Sequence, residues 1–105
     1  MSVAQMQIAN KHWGLLQIAL QEPQLWVAHI RYLAEGGNLT ERTVSPLKLL
    51  TNDRLLVYCL GREAVRSLRL SRILIVKLRL SMDVLPPEGV KTLVEHKSRA
   101  KKDFY

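Results

Sequence analysis

The fold is decided by the stretch from Glu41 to Ile73, which reads ERTVSPLKLLTNDRLLVYCLGREAVRSLRLSRI. Short apolar runs alternate in it with turn residues, a pattern that predicts four short extended runs joined by tight turns. Pro46 interrupts the first two runs, and because a proline cannot donate to a strand ladder, we expect it at a sheet edge or a bulge. Residues 51–53 (Thr-Asn-Asp) and 61–63 (Gly-Arg-Glu) have the composition of turns.

Strand signals continue on both sides of this stretch. The apolar period changes to two from Gln24, and the sequence Glu-Gly-Gly-Asn at 35–38 is a hairpin signal. Five strands are predicted. The first begins at residue 24, and the others cover residues 39–50 (interrupted at 45–46), 55–60, 64–70 and 73–80. Five side chains are expected inside the sheet: Trp26, Ile30, Leu68, Leu74 and Val76. Short strands at this spacing predict a small barrel or a strongly bent sheet over residues 24–80.

Helical periodicity is found on either side of the strands. A helix is predicted over residues 2–21, with an apolar face formed by Met6, Ala9, Trp13, Leu16 and Leu20. A second helix is predicted over residues 87–101, because Pro87 suits a first turn and Glu88 complements the positive end of a helix. Its expected face comprises Val90, Leu93, Val94 and Lys97. A basic tail at residues 97–105 is expected to fray. The prediction is one domain over residues 1–105, mainly β with flanking helices.

Chain length, net charge and cysteine content indicate which partners and which cellular location to expect. The chain has 105 residues, 48% of them apolar, and a formal net charge of +7. Such a basic excess favours polyanionic partners. The single cysteine, Cys59, rules out an intrachain disulfide, the N-terminus lacks the pattern of a secretory signal, and no apolar run is long enough to span a membrane. We therefore expect a cytoplasmic protein that does not enter a membrane.

Three arginines follow one another at the end of the β unit, namely Arg66, Arg69 and Arg72. A guanidinium group is a planar fork of donors suited to phosphate or carboxylate, and it stays charged at any working pH. Strand alternation places Arg66 on the same side as the apolar Leu68, where an unpaired charge would be costly. Such an arginine would lie at a barrel mouth, in reach of an anion. The alternative interpretation is a solvated strand face and turn.

Four segments resemble, in order and spacing, the WYL-domain family. They are Tyr32, ERTVSPLKL at 41–49, the strand at 55–60 and RSLRLSRI at 66–73.

The resemblance covers roughly residues 10–80 and implies a five-stranded Sm-type or SH3-like barrel preceded by a helix. The chain looks like a stand-alone module, because nothing before the barrel resembles a two-helix DNA reader. It departs from the family at residues 55–57, where Leu-Leu-Val replaces the Trp-Tyr-Leu triplet, and at Leu68, which stands at an aromatic position.

The resemblance also implies a function. WYL domains typically occur in bacterial transcription regulators or as accessories of phage-defence systems, and they are thought to sense nucleic-acid or nucleotide-like ligands through basic residues. It implies binding roles for Tyr32, Arg42, Arg66 and Arg72, with Arg69 as a secondary candidate. Arg42 could instead form an ion pair with Glu41 of a neighbour or with Glu63, and Tyr32 could pack in the core with its hydroxyl at the rim rather than stack on a base.

Other residue types indicate little chemistry. The histidines lack carboxylates or thiolates at metal-ligand spacing, so neither a metal nor another cofactor is expected. Trp13 and Trp26 are interpreted as core residues, and Cys59 as a buried, inert thiol. No nucleophile, paired-carboxylate or phosphate-loop motif is present, so we do not expect an enzyme.

Two hypotheses remain. The first is a non-enzymatic regulatory module that binds single-stranded RNA or DNA, or a nucleotide, through a basic patch, in transcriptional or phage-defence regulation. The second is a protein-interaction or oligomerisation subunit whose arginines are structural. In either case we expect a homo-oligomer or a protein partner.

Overall fold

The computed structural model describes residues 11–101 of the chain. Within this range three helices and five strands follow in order: α1 (Lys11–Gln21), β1 (Trp26–Leu33), β2 (Leu39–Thr51), β3 (Arg54–Cys59), β4 (Ala64–Arg69), β5 (Ile73–Leu80), α2 (Ser81–Val84) and α3 (Pro87–Lys101). A 3-10 turn, Leu70–Arg72, joins β4 to β5. The predicted class, mainly β with flanking helices, is confirmed. Met6 and Ala9, predicted in the first helix, and the end of the predicted tail lie outside the described residues.

The five strands form one antiparallel sheet in the order β4-β3-β2-β1-β5. The β1–β2 hairpin turns through Gly36 and Gly37, whose φ angles of +88° and +85° favour glycine. Strong bending of the sheet is shown by one hydrogen bond, in which the Arg69 N–H of β4 donates to the Tyr32 hydroxyl of β1 at 3.0 Å. In a flat sheet these strands, three ladder steps apart, would be separated by about 14 Å.

Each face of the sheet packs on a different helix. We call the inner face the one that carries the main buried cluster, which joins Leu16 of α1 to side chains from all five strands: Ala28, Ile30, Tyr32, Val44, Leu55, Val57, Cys59, Leu68, Ile73 and Val76. We call the opposite face the outer face. There Leu47 and Leu56 form a second cluster with Ala100 of α3. Both predicted helices thus cover the sheet, one on each side.

Helix α3 is fixed to the outer face along its whole second half. The His96 ring stacks on Tyr58 of β3 with centroids 4.3 Å apart, and the Lys97 ammonium donates to the Leu47 carbonyl at 3.2 Å. Burial lowers the pKa of both His96 and Lys97. The prediction that residues from 97 onward form a frayed tail is therefore wrong as far as Lys101, because packing on the sheet orders them.

Bulges account for the main differences from the predicted strands. Strand β2 is continuous from Leu39 to Thr51, with a register shift after Pro46 where a bulge was expected. A second shift lies between Arg31 and Tyr32, which pair with Ile75 and Ile73 and leave Leu74 without a partner. As a result Ile73 is buried and Leu74 is 43% exposed. The prediction that Leu74 lies inside is wrong, because a bulge reverses the alternation of faces.

Some of the remaining core predictions are confirmed and others are not. Ile30, Leu68 and Val76 are buried, as predicted. Trp26 is only half-buried at the start of β1. On α3, Leu93 is buried but Val94 is 41% exposed, so the buried stripe runs through Leu93 and Ala100 instead.

Candidate functional site

Tyr32 forms the centre of the predicted site. It lies near the end of β1 with its ring almost fully buried in the inner cluster. Its hydroxyl accepts the Arg69 N–H, and its carbonyl accepts the Thr40 hydroxyl at 3.2 Å. The ring is thus a core residue with a bonded hydroxyl at the rim.

Arg42 lies against Tyr32 from the neighbouring strand. Because Ile30 pairs with Arg42 and Tyr32 with Thr40, the Arg42 side chain starts on the inner face, diagonal to the tyrosine. Its guanidinium carbon lies 5.0 Å from the centre of the Tyr32 ring, within the range of a cation–π contact, and its Nε donates to Thr40 Oγ1 at 3.2 Å.

Arg72 reaches the same end of β1 from the other side. It is the last residue of the 3-10 turn, and its guanidinium donates to the Leu33 carbonyl at 3.1 Å. Ile73, which follows it, pairs with Tyr32. The side chains of Arg42 and Arg72 therefore contact consecutive residues of β1, Tyr32 and Leu33. We call these two arginines with Tyr32 the basic site.

Arg66 and Arg69 are placed differently. Arg66 pairs with Val57 on the inner face of β4, where it is exposed, and Arg69 pairs with Arg54 on the outer face. Among the contacts of residues 11–101, Arg69 reaches the basic site only through its backbone N–H, which donates to the Tyr32 hydroxyl. Over the same described range, no hydrogen bond or ion pair joins Arg66 to the basic site.

The carboxylate next to Arg42 in the chain is bound elsewhere. Glu41 lies on the outer face, where its oxygens lie 2.5 Å from His29 Nε2 and 3.1 Å from both Nε and an η nitrogen of Arg31. Hydrogen bonds from His29 and then Arg31 hold the pKa of Glu41 below its ordinary value of 4.5. Within residues 11–101 of the single chain, neither Glu41 nor Glu63 forms an ion pair with Arg42.

A cleft of about 520 Å³ opens beside Arg42. Its walls come from β1, β2, the end of β3 and the β3–β4 turn, and its lining comprises His29, Thr40, Glu41, Arg42, Thr43, Cys59, Gly61 and Arg62. Sequence reasoning assigned residues 61–63 to a turn and did not consider Arg62 as a site residue. The sequence signal that could have identified Arg62 is its position in a turn next to a strand that contains arginines.

The described part of the chain offers no other evident chemistry. Between residues 11 and 101 no group of three or more histidine, cysteine or acidic side chains lies close enough to hold a metal ion. In the same range no helix is long and apolar enough to cross a membrane. Cys59 is a buried thiol.

The fold and the site together describe a small, basic, mainly β module. Comparison with known proteins names its class: the sequence model of the WYL domain matches residues 19–78, more than half of the chain. The chain belongs to the WYL domain family.

One solved structure that resembles it is Proteasome accessory factor B/C (PafBC) of Arthrobacter aurescens, with a TM-score of 0.58 and 26% sequence identity. That match covers 75% of this chain and 12% of the PafBC chain. No curated protein sequence matches. The family assignment supports the coarser functional prediction, a regulatory ligand-binding module.

Proposed function

We propose that this WYL domain binds a nucleic acid or nucleotide-like anion at the basic site and passes the signal to a partner or a second copy, without catalysing a reaction. Arg42 and Arg72 would make the principal contacts, with Tyr32 as their support. Arg66 and Arg69 would extend the contact along β4. The process would be transcriptional or phage-defence regulation, as the family resemblance implies.

One observation carries this proposal: Arg42 lies on the Tyr32 ring and, within residues 11–101, no carboxylate neutralises it. The carboxylate that precedes Arg42 in sequence, Glu41, is bound by His29 and Arg31 on the opposite face. A stacked guanidinium group is held in a fixed orientation and loses less freedom when it binds a phosphate. The net charge of +7 adds a general attraction for polyanions.

The test is a fluorescence-anisotropy titration with short single-stranded RNA, single-stranded DNA and duplex DNA at two salt concentrations. Affinity should fall steeply with salt, because each neutralised phosphate releases condensed counterions. A wild-type protein that binds none of the three probes at low salt would contradict the nucleic-acid proposal. A nucleotide titrated by calorimetry would then be the remaining anionic ligand.

A protein-interaction function is the second candidate, and it has an observation of its own. Edge strand β5 and helix α2 expose large apolar side chains, namely Leu74, Ile75, Leu80 and Met82. Exposed apolar groups along an unpaired strand edge are typical of a surface that pairs with another chain. Salt-insensitive self-association in sedimentation experiments, together with no anion binding in the titrations, would favour this function over the first.

A further inference from the structure

The cleft beside Arg42 exists because two strands end at different places. Strand β3 ends at Cys59, which pairs with Val44, and the Leu60 N–H then donates to the Thr43 carbonyl at 3.0 Å. Strand β2 extends back to Leu39, beyond the reach of β3, while the chain turns through residues 61–63 towards β4. The turn and the unaccompanied part of β2 form the two facing walls of the cleft.

Each wall includes an arginine. Arg42 belongs to β2 and Arg62 to the β3–β4 turn, and both line the same volume. Glu41 also lines it, but its carboxylate is bound by His29 and by Arg31, whose positive charge offsets it. Among the lining residues, Arg42 and Arg62 against Glu41 leave a positive formal charge.

We propose that this cleft binds the phosphomonoester of a nucleotide, between Arg42 and Arg62. The inference rests on the proposed function and states which part of the anion is recognised. A cleft of about 520 Å³ is of the size that holds a small ligand rather than a long polymer. A phosphomonoester carries a charge of about −1.5 to −2 at neutral pH and three acceptor oxygens. Two guanidinium forks from facing walls match that charge better than the single charge of an internal phosphodiester.

Two ligands share this chemistry: a free mononucleotide and the phosphorylated end of an oligonucleotide. The experiment compares hexathymidine probes that are identical except for a phosphate or a hydroxyl at one end, with fluorescein at the other end. Both the 5′ and the 3′ ends are tested, and thymidine monophosphate and inorganic phosphate are titrated by calorimetry. The variants are Arg62→Gln and Arg42→Gln, with Arg79→Gln on exposed β5 as a control that removes the same charge outside the cleft.

The wild type should bind a phosphorylated probe, or thymidine monophosphate over thymidine, at least about tenfold more tightly than its unphosphorylated counterpart, as expected for a charge-assisted contact. Arg62→Gln should abolish this preference, and Arg79→Gln should preserve it. If only the phosphorylated oligonucleotides are preferred, the ligand is the phosphorylated end of an oligonucleotide. If thymidine monophosphate is preferred over thymidine, the ligand is a free mononucleotide.

Two results would overturn the inference while leaving the proposed function intact. The first is equal, salt-dependent affinity for phosphorylated and unphosphorylated probes, together with no preference for thymidine monophosphate over thymidine. The second is a preference that survives Arg62→Gln. Absence of binding to every probe would overturn the inference and the proposed function together.

Discussion

The two faces of the β1–β2 hairpin differ in whether their charged side chains are paired with an opposite charge. On the outer face, Glu41 is bound by His29 and Arg31, and His29 also lies 3.1 Å from the Thr43 hydroxyl. On the inner face, Arg42 lies over the Tyr32 ring and its Nε donates to a threonine. Adjacent residues of opposite charge therefore have no contact with each other, because a strand sends successive side chains to opposite faces.

This difference shows how a strand can hold an unneutralised cation next in sequence to a carboxylate. In β2 the outer face satisfies its own carboxylate, and the positive charge of Arg42 stays on the inner side. The comparison predicts that changes on the inner face affect anion binding and core stability, while changes in the outer-face network of Glu41, His29 and Arg31 have small effects.

The largest effect is expected from the inner core. Leu68→Ala should lower the free energy of unfolding by about 2–5 kcal/mol, because Leu68 is 3% exposed and its removal leaves a cavity. Leu74→Ala, which removes the same atoms from a 43% exposed bulge position, should change it by only about 0.5 kcal/mol. Urea denaturation of both variants measures the contrast, and equal losses would contradict the assignment of faces.

The next effect concerns binding. Arg42→Ala and Arg72→Ala should each weaken anion binding by about 1–3 kcal/mol, as the loss of a charge-assisted hydrogen bond does, with little change in stability. Lysine at either position should also weaken binding, since it keeps the charge and loses the fork. The measurement is anisotropy at fixed salt, with Arg79→Ala as the matched control on β5. A loss in Arg79→Ala as large as in the other two would indicate a diffuse charge effect instead.

Arg66 measures how far the basic site extends. We expect Arg66→Ala to cost about 1–3 kcal/mol in binding if the ligand continues along β4, since Arg66 is exposed on the inner face. The same titration decides this point. An unchanged affinity would restrict the site to the surroundings of Tyr32 and the cleft.

A smaller effect is expected at the outer face in acid. The depressed pKa of Glu41 means that its bonds with His29 and Arg31 contribute stability above the unfolded-state pKa, near 4.5, and lose it as the pH falls through the lower folded-state pKa. The wild type should therefore lose slightly more stability than Glu41→Gln between pH 6 and pH 3. Urea midpoints at the two pH values measure this difference. Parallel losses in the two proteins would show that the exposed network contributes nothing measurable.

The smallest effect is expected from Glu41→Gln at neutral pH. Removing the carboxylate leaves the Arg31 charge uncompensated next to the cleft, so anion affinity should rise slightly at low salt. The rise should vanish at high salt. A fall in affinity at low salt would show that Glu41 takes part in ligand binding.

The sequence by itself determined the elements of this protein. Period-two apolar runs, the glycines at the β1–β2 hairpin and the proline at the start of α3 each act locally, so their positions could be predicted without a fold. The family pattern around Tyr32 and the arginines of residues 66–73 was also present in the chain itself. The bulge near Pro46 followed from the missing N–H of proline.

The tertiary structure decided which side chains meet. The bulge at Leu74 depends on how β5 pairs with β1, and no local signal marks it, so alternation assigned the wrong residue to the core. Strand pairing likewise places Arg42 on Tyr32, Arg72 on Leu33, Arg66 away from both, and Arg62 at the cleft. Contacts between residues distant in sequence arise from strand pairing and bending, which the composition of a single strand does not specify.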